Sequence, residues 1–466
     1  MICFYLVKEI FMKHALKLIL LGVLALSMLL CACDNSSDEN FFENSTTAKK
    51  TTAATQATTA SPVQDEIPTH LEPEIFEKNQ ILSRLTDSPV VRPIGNTGVD
   101  VELTYQAWPT ICRGEGSTLY VASSVRRDHI DPFAATAFYV SHDNGETWSE
   151  PRIINDTPVD DRDTGIVYIG NGRMLVSFFT IGAKSFLPGG TYEKNWGKCT
   201  DEQKKAKMKE WNTYTEAELE RFDGAFVLLS EDYGETWSEP ISVPVSCPHG
   251  PTLLNNGRTL MYPGLRGNKF VTYTSSDFGK TWSLNSELDL PKLPDSNWGY
   301  WETYVIQLSD GSYVAGIRTG TTGGADKDGN KYITNKTLGI LVTTSQDGKK
   351  WTPATKVENI TGAPPHFLEL DNGAIFLAYS YRLRRPDGGN GEIGSRGRIS
   401  YDRGLTWSDE EIVLSENVSP TNYDLGYPST IQLDDGTLIT IYYQPWQDDT
   451  PCSVLYTKWR LNEVEE

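Results

Sequence analysis

Acidic, phenolic and cationic side chains recur at one fixed place in this chain of 466 residues. Nine residues before each of six turn glycines (Gly116, Gly172, Gly257, Gly311, Gly373 and Gly436) stand Ala107, Asp163, Pro248, Glu302, Pro364 and Tyr427. Arg162, His249 and His366 adjoin these positions. Arg318, Arg396 and the run Arg126-Arg127-Asp128-His129, with Asp131, fall near the ends of neighbouring apolar segments. Guanidinium forks bind a carboxylate through paired, charge-assisted hydrogen bonds, which a lysine does less well. A phenol with its ordinary pKa of about 10 needs a neighbouring base before it can attack an electrophilic carbon. An aspartate can serve as proton donor and then as base. A salt bridge between structural elements explains any one Arg–Glu pair equally well, so the weight rests on several such residues converging.

The elements that would bring them together are short strands. Ser-x-Asp-x-Gly-x-Thr-Trp occurs four times in full, at Ser141–Trp148, Ser230–Trp237, Ser275–Trp282 and Ser400–Trp407, and once shortened at Ser345–Trp351. Asp and Ser side chains bond nearby backbone amides, Gly supplies a positive φ, and Trp packs beneath the turn. This is hairpin chemistry and is expected to lie away from substrate. Before each box come two apolar runs separated by an Asn/Asp-Gly type of turn, a second hairpin. Two hairpins make a four-stranded sheet, and six such units predict an all-β, six-bladed propeller. The sixth unit, from about Asn422 to Leu461, lacks the box, and Pro89–Pro93 is expected to supply its closing outer strand. The glycine turns and the boxes then share one face, and the candidate residues share the other, over the axial mouth where propeller ligands bind. Residues 183–222 form an insertion on that second face. Trp196 and Trp211 within it either stack on a sugar or pack the insertion on itself.

Composition sets limits on the partner. Lys plus Arg number 42 against 62 Asp plus Glu, a formal charge of −20. That leaves no cationic excess to displace phosphate counterions and argues against nucleic acid, while a local arginine cluster can still hold a small anion. Lys13 and Lys17 precede an apolar run from Leu18 to Leu30, short for a membrane span and typical of a signal segment. It ends in Leu30-Cys31-Ala32-Cys33, so residues 1–33 are expected to be a lipoprotein signal with Cys33 as the lipidated residue. Residues 34–87, rich in Ser, Thr and Ala at their start, are expected to be a disordered stalk, and 88–466 the propeller. The location expected is extracytoplasmic, with membrane contact only through the anchor, or secreted if that motif is an ordinary signal. Cys112, Cys199, Cys247 and Cys452 are sparse and lack metal-ligand spacing, so neither a disulfide framework nor zinc is expected.

On these boxes and blades, residues 90–465 resemble the sialidase (neuraminidase) superfamily. The likeness extends to Glu302-Thr303-Tyr304-Val305 leading to Gly316-Ile317-Arg318, to Gly394-Ser395-Arg396-Gly397-Arg398, and to Asp424-Leu425-Gly426-Tyr427-Pro428. The resemblance implies hydrolysis of terminal sialic acid, or a related nonulosonic acid, from glycoconjugates with retention. It implies Tyr427 as nucleophile, Glu302 as its base, Asp131 (or Asp128) as acid, and Arg318 and Arg396 as carboxylate ligands, with no cofactor. The family's first arginine is absent from Tyr105-Gln106-Ala107-Trp108-Pro109, and Arg162 is the candidate to replace it. A non-catalytic sugar-binding propeller, or a hydrolase or lyase for another acidic polysaccharide, are the alternative readings. Nothing in the sequence indicates an oligomeric state.

Overall fold

A computed structural model describes residues 71–293, 298–321, 338–358, 360–381, 393–419, 422, 424–447 and 451–463. The signal segment, Cys33 and the stretch to residue 70 lie outside the described residues. Six four-stranded antiparallel sheets follow one another along the chain. Blade 1 comprises Tyr105–Arg113, Leu119–Arg126, Ala135–Ser141 and Arg152–Asn155, strands A to D from the axis outward. Blade 2 begins with Asp160–Gly170, blade 3 with Thr252–Leu253, blade 4 with Trp298–Gln307, blade 5 with His366–Glu369 and blade 6 with Gly426–Gln432. Apolar clusters sit between successive blades. One joins blade 6 to blade 1 through Ile431, Ile439, Val121 and Tyr139, which closes the ring.

The local chemistry read from the boxes is present atom by atom. In the first, Ser141 Oγ accepts from Gly145 N at 2.8 Å, and Asp143 Oδ1 accepts from Thr147 N at 2.9 Å. Gly145 has a φ of 81°, which a side chain would strain. Asn144 N donates to Ser117 O at 2.9 Å and Tyr233 N to Gly172 O at 2.8 Å, so boxes and glycine turns do share a face.

The ring closes differently from the expectation. The outer strand of blade 6 is Leu71–Ser83, paired with Cys452–Glu463, whereas Val90–Pro93 pairs with Asp100–Leu103 in a separate two-stranded ribbon. The propeller therefore starts by residue 71, and 71–83 are not stalk. The reason is physical: an outermost strand is held by backbone hydrogen bonds on one side and faces solvent on the other. Leu-Glu-Pro-Glu-Ile-Phe-Glu-Lys buries few side chains and shows no apolar alternation, as managed edge strands commonly do. The 183–222 insertion folds on itself. Trp196 and Trp211 are buried against Val159, Ala183 and Phe186, and Trp211 Nε1 donates to Pro158 O at 2.7 Å, so neither is available to stack on substrate.

Candidate active site at the axial mouth

Inner strands deliver side chains to the mouth through bulges. In blades 1, 2, 4 and 6, pairing skips from Ala107 to Thr110, Arg162 to Gly165, Tyr300 to Thr303 and Gly426 to Ser429. An extra residue in an inner strand redirects a side chain that a regular pleat would send sideways into the neighbouring blade. Trp108, Asp163 and Tyr427 all have positive φ at these bulges, 52°, 49° and 52°. Such backbone is costly for residues with a Cβ and clusters at functional sites.

The bulges bring Tyr427 and Glu302 together. Tyr427 Oη donates to Glu302 Oε1 at 2.6 Å, across 125 positions of sequence. Arg318, from the facing strand of blade 4, donates through Nη1 to Oε1 at 2.8 Å and Oε2 at 2.7 Å. Glu302 thus holds a phenol and a guanidinium at once, and its side chain keeps 17% exposure toward the mouth. Beneath Tyr427, His249 and His366 are buried with ring centres 4.9 Å apart. Burial holds His249 well below the ordinary imidazole value and His366 at about 3, so the floor is neutral. Ser429 Oγ lies 3.2 Å from His366 Nε2, which fixes the strand two residues past Tyr427.

Arg162 reaches the same place from blade 2. Its guanidinium carbon lies 4.5 Å from the Trp108 ring centre, as does that of Arg126. Asp160 accepts from Arg126 at 2.8 Å and from Arg162 at 3.4 Å. The Trp108 ring in turn meets Tyr427 edge-on at 6.3 Å and His129 at 5.3 Å. Where an arginine was lacking in blade 1, the chain has an indole that carries two guanidinium groups from its neighbours. Sequence counting stopped one residue short, at Ala107, because the blade 1 bulge lies eight residues, not nine, before its turn glycine.

Two expected site residues are buried within their own blades. Asp131 is fully buried, and its carboxylate accepts from Arg127 N at 2.7 Å, Arg127 Nε at 3.1 Å, Arg127 Nη2 at 2.6 Å and Phe133 N at 3.1 Å. Every lone pair direction is spent on closing its own loop, so the structure places it as a loop anchor and not at the open mouth. Arg396 is 1% exposed; its fork donates to the carbonyl oxygens of Ser395 and Ser415 and lies 3.4 Å from Glu411. The partners named here belong to blade 5 and the segment leaving it. Asp128 accepts the backbone N–H of His129 at 2.7 Å. Cys33 lies outside the described residues.

Asp163 is the titrating group sequence reasoning placed here without a role. Its carboxyl is pushed up to about 7 by burial, with Arg162 opposing and Glu302 adding to the rise. A folded-state value above the unfolded one favours the folded protein most at pH below about 4. That stability is lost as pH rises toward 7, where only the unfolded chain ionises readily. Asp163→Asn is therefore expected to flatten the decline in melting temperature between about pH 4 and 7, measured by thermal melts across that range. Asp161, also raised to about 7 by burial, keeps part of the slope in the variant.

Fold and mouth together define a six-bladed Asp-box propeller whose axial face carries a phenol–carboxylate–guanidinium constellation. Residues 204–441 match the BNR repeat-like domain and residues 139–150 the BNR/Asp-box repeat, and the chain belongs to the BNR repeat-like domain family, among the sialidase-like propellers. No curated protein matches the chain. Among solved structures, a protein of unknown function from Dyadobacter fermentans is similar with TM-score 0.59 and 21% identity, covering 84% of this chain and 99% of that one. The NanB sialidase of Streptococcus pneumoniae is similar with TM-score 0.52 and 14% identity, covering 80% and 70%. The intramolecular trans-sialidase of Ruminococcus gnavus has TM-score 0.52 and 13% identity, covering 83% and 99%. At these identities the likeness is one of fold.

Proposed function

We propose that this protein is a retaining exo-α-sialidase, a glycoside hydrolase that releases terminal sialic acid or a related nonulosonic acid from glycoconjugates. The observation that carries the reading is the 2.6 Å hydrogen bond from Tyr427 Oη to Glu302 Oε1 at the axial mouth. Such a sugar bears a carboxylate on its anomeric carbon, which repels a carboxylate nucleophile and favours a neutral phenol; sialidases are the recognised tyrosine exception among glycosidases. In this mechanism Glu302 takes the phenolic proton as Tyr427 attacks, and a tyrosyl glycoside forms and is then hydrolysed. Arg318 holds both Glu302 oxygens in place and, with Arg162, supplies positive charge to the sugar carboxylate. The N-terminal Leu30-Cys31-Ala32-Cys33 supports a lipid anchor at Cys33 that holds the enzyme at the outer side of a bacterial membrane.

Release of the fluorophore from a 4-methylumbelliferyl sialoside tests the reading, with turnover expected. One observation favours a second reading, a glycosidase or lyase for another acidic polysaccharide. Arg162 and Arg318 already face Asp160 and Glu302, and blade 1 offers Trp108 in place of an arginine. No turnover of the sialoside, together with new reducing ends or double bonds from a uronic-acid polymer, would select that alternative.

A further inference from the structure

With the Asp131 carboxylate closed into its own loop, the leaving oxygen calls for a proton donor from elsewhere among the described residues. We infer that His129, oriented by Asp424, protonates the departing oxygen and afterwards activates the attacking water; this rests on the reading of Tyr427 and Glu302 given above. His129 lies in the loop between the second and third strands of blade 1, two residues before Asp131. Its side chain is 45% exposed, against none for Asp131. Nδ1 stands 2.8 Å from Asp424 Oδ2. Asp424 enters from the segment just before Tyr427, and it is held as an acceptor. Tyr443 Oη donates to its Oδ1 at 2.8 Å, and Tyr105 Oη donates to its Oδ2. Burial, and then the Asp424 charge, raise the Tyr105 phenol well above its ordinary value, so it remains a donor. An acceptor fixed by two phenols sets the imidazole tautomer with hydrogen on Nδ1 and turns Nε2 toward the mouth.

Trp108 and Arg162 connect the imidazole to the Tyr427 side of the mouth. The Trp108 ring touches both side chains, and Arg162 Nη2 lies 3.5 Å from His129 Nε2. The charged groups around the imidazole, among the described residues, are Asp424 from blade 6, Arg162 from blade 2, and Asp128 and Arg126 at its own backbone. Asp160, itself in contact with Arg162, adds a further carboxylate behind that guanidinium. Asp128 is placed differently. A Cβ at Gly197 of the blade 2 insertion would sit 3.0 Å from Asp128 Cβ and 3.5 Å from its Oδ2, so that carboxylate lies against the insertion.

The steps balance. In the first, the phenolic proton passes to Glu302 and Tyr427 Oη bonds the anomeric carbon. The glycosidic bond breaks with its electron pair on the leaving oxygen, which takes the Nε2 proton of the His129 imidazolium. In the second, neutral His129 takes a proton from water as the water oxygen bonds the anomeric carbon. The Tyr427 Oη bond breaks, and the phenolate regains its proton from Glu302.

The test compares wild type, His129→Gln, Asp424→Asn, Asp128→Asn and Tyr427→Phe on 4-methylumbelliferyl sialoside and on sialyl-lactose, after thermal melts establish that each is folded. The first leaving group needs little protonation and the second needs it fully. His129→Gln is expected to lose about a hundredfold or more in kcat/KM on sialyl-lactose and less than about tenfold on the aryl sialoside. It is also expected to lose the limb of the pH profile on which activity falls as pH rises, and to have its slow second step accelerated by azide, a nucleophile that needs no base. Asp424→Asn is expected to move the same readouts in the same direction by less. Active wild type, inactive Tyr427→Phe and an indifferent His129→Gln overturn the inference alone, as does a leaving-group effect found in Asp128→Asn instead. A wild type that turns over neither sialoside, or an undiminished Tyr427→Phe, brings down the underlying reading and this inference with it.

Discussion

Tyr427→Phe is expected to lower kcat on an aryl sialoside by at least about a thousandfold, since it removes the atom that attacks in the mechanism proposed. The substitution deletes one oxygen and keeps the ring, whose neighbours are Trp108, Tyr443 and His249 at centroid distances of 6.3, 6.0 and 6.4 Å. Glu302 loses the phenolic donor and retains both contacts from Arg318 Nη1, so no carboxylate is left unpaired. Stability is then expected to change by about 1 kcal/mol or less, the net worth of one hydrogen bond. Steady-state kinetics beside a thermal melt separate the two effects. A Phe variant with wild-type kcat would remove Tyr427 from the chemistry and leave the constellation as a blade-to-blade brace.

Asp131→Ala is expected to act in the opposite way, on the fold before the chemistry. The Arg127 guanidinium is 7% exposed and would be left in the protein interior without its carboxylate. Removing one partner of a buried pair typically costs about 3–5 kcal/mol, because the remaining charge stays desolvated. Arg127 also donates to Gln203 Oε1 at 2.8 Å and to Cys199 Sγ at 3.0 Å. Gln203 belongs to the capping box that starts helix Asp201–Trp211, so the loss would propagate into the insertion over the mouth. Urea unfolding should show the unfolding free energy falling by that amount, with the midpoint lowered in proportion. A variant that unfolds like wild type yet fails on sialyl-lactose would return Asp131 to the role of acid that the family resemblance implies.

The two aspartates of one short loop show where sequence reading stops. Asp128 and Asp131 are of one type within a single loop, and both follow the Arg126-Arg127 pair. Their difference is made by Phe133 N and the Arg127 fork, which close around one carboxylate, and by Gly197, which approaches the other from another blade. His129 was visible in the same run, but its partner Asp424 is 295 positions away, and no local pattern joins them. Arg396 shows a related limit. On a strand, direction alternates residue by residue, so a position near the mouth says nothing about which way a long side chain turns.

The order of amino acids by itself determined what depends on contacts within about ten residues: the Asp-box turns, the glycine hairpins, their sixfold recurrence, and hence the propeller and its two faces. It also led to Tyr427 and Glu302, which the ring joins by a hydrogen bond, because turn glycines fix how far back along an inner strand the mouth lies. Only the folded ring decided which side chains enter the axis, since that depends on bulges at Trp108, Asp163 and Tyr427 and on groups supplied by other blades. The outer closure by Leu71–Ser83 belongs with these, because a strand held by backbone hydrogen bonds along one edge needs no apolar pattern of its own to be held there.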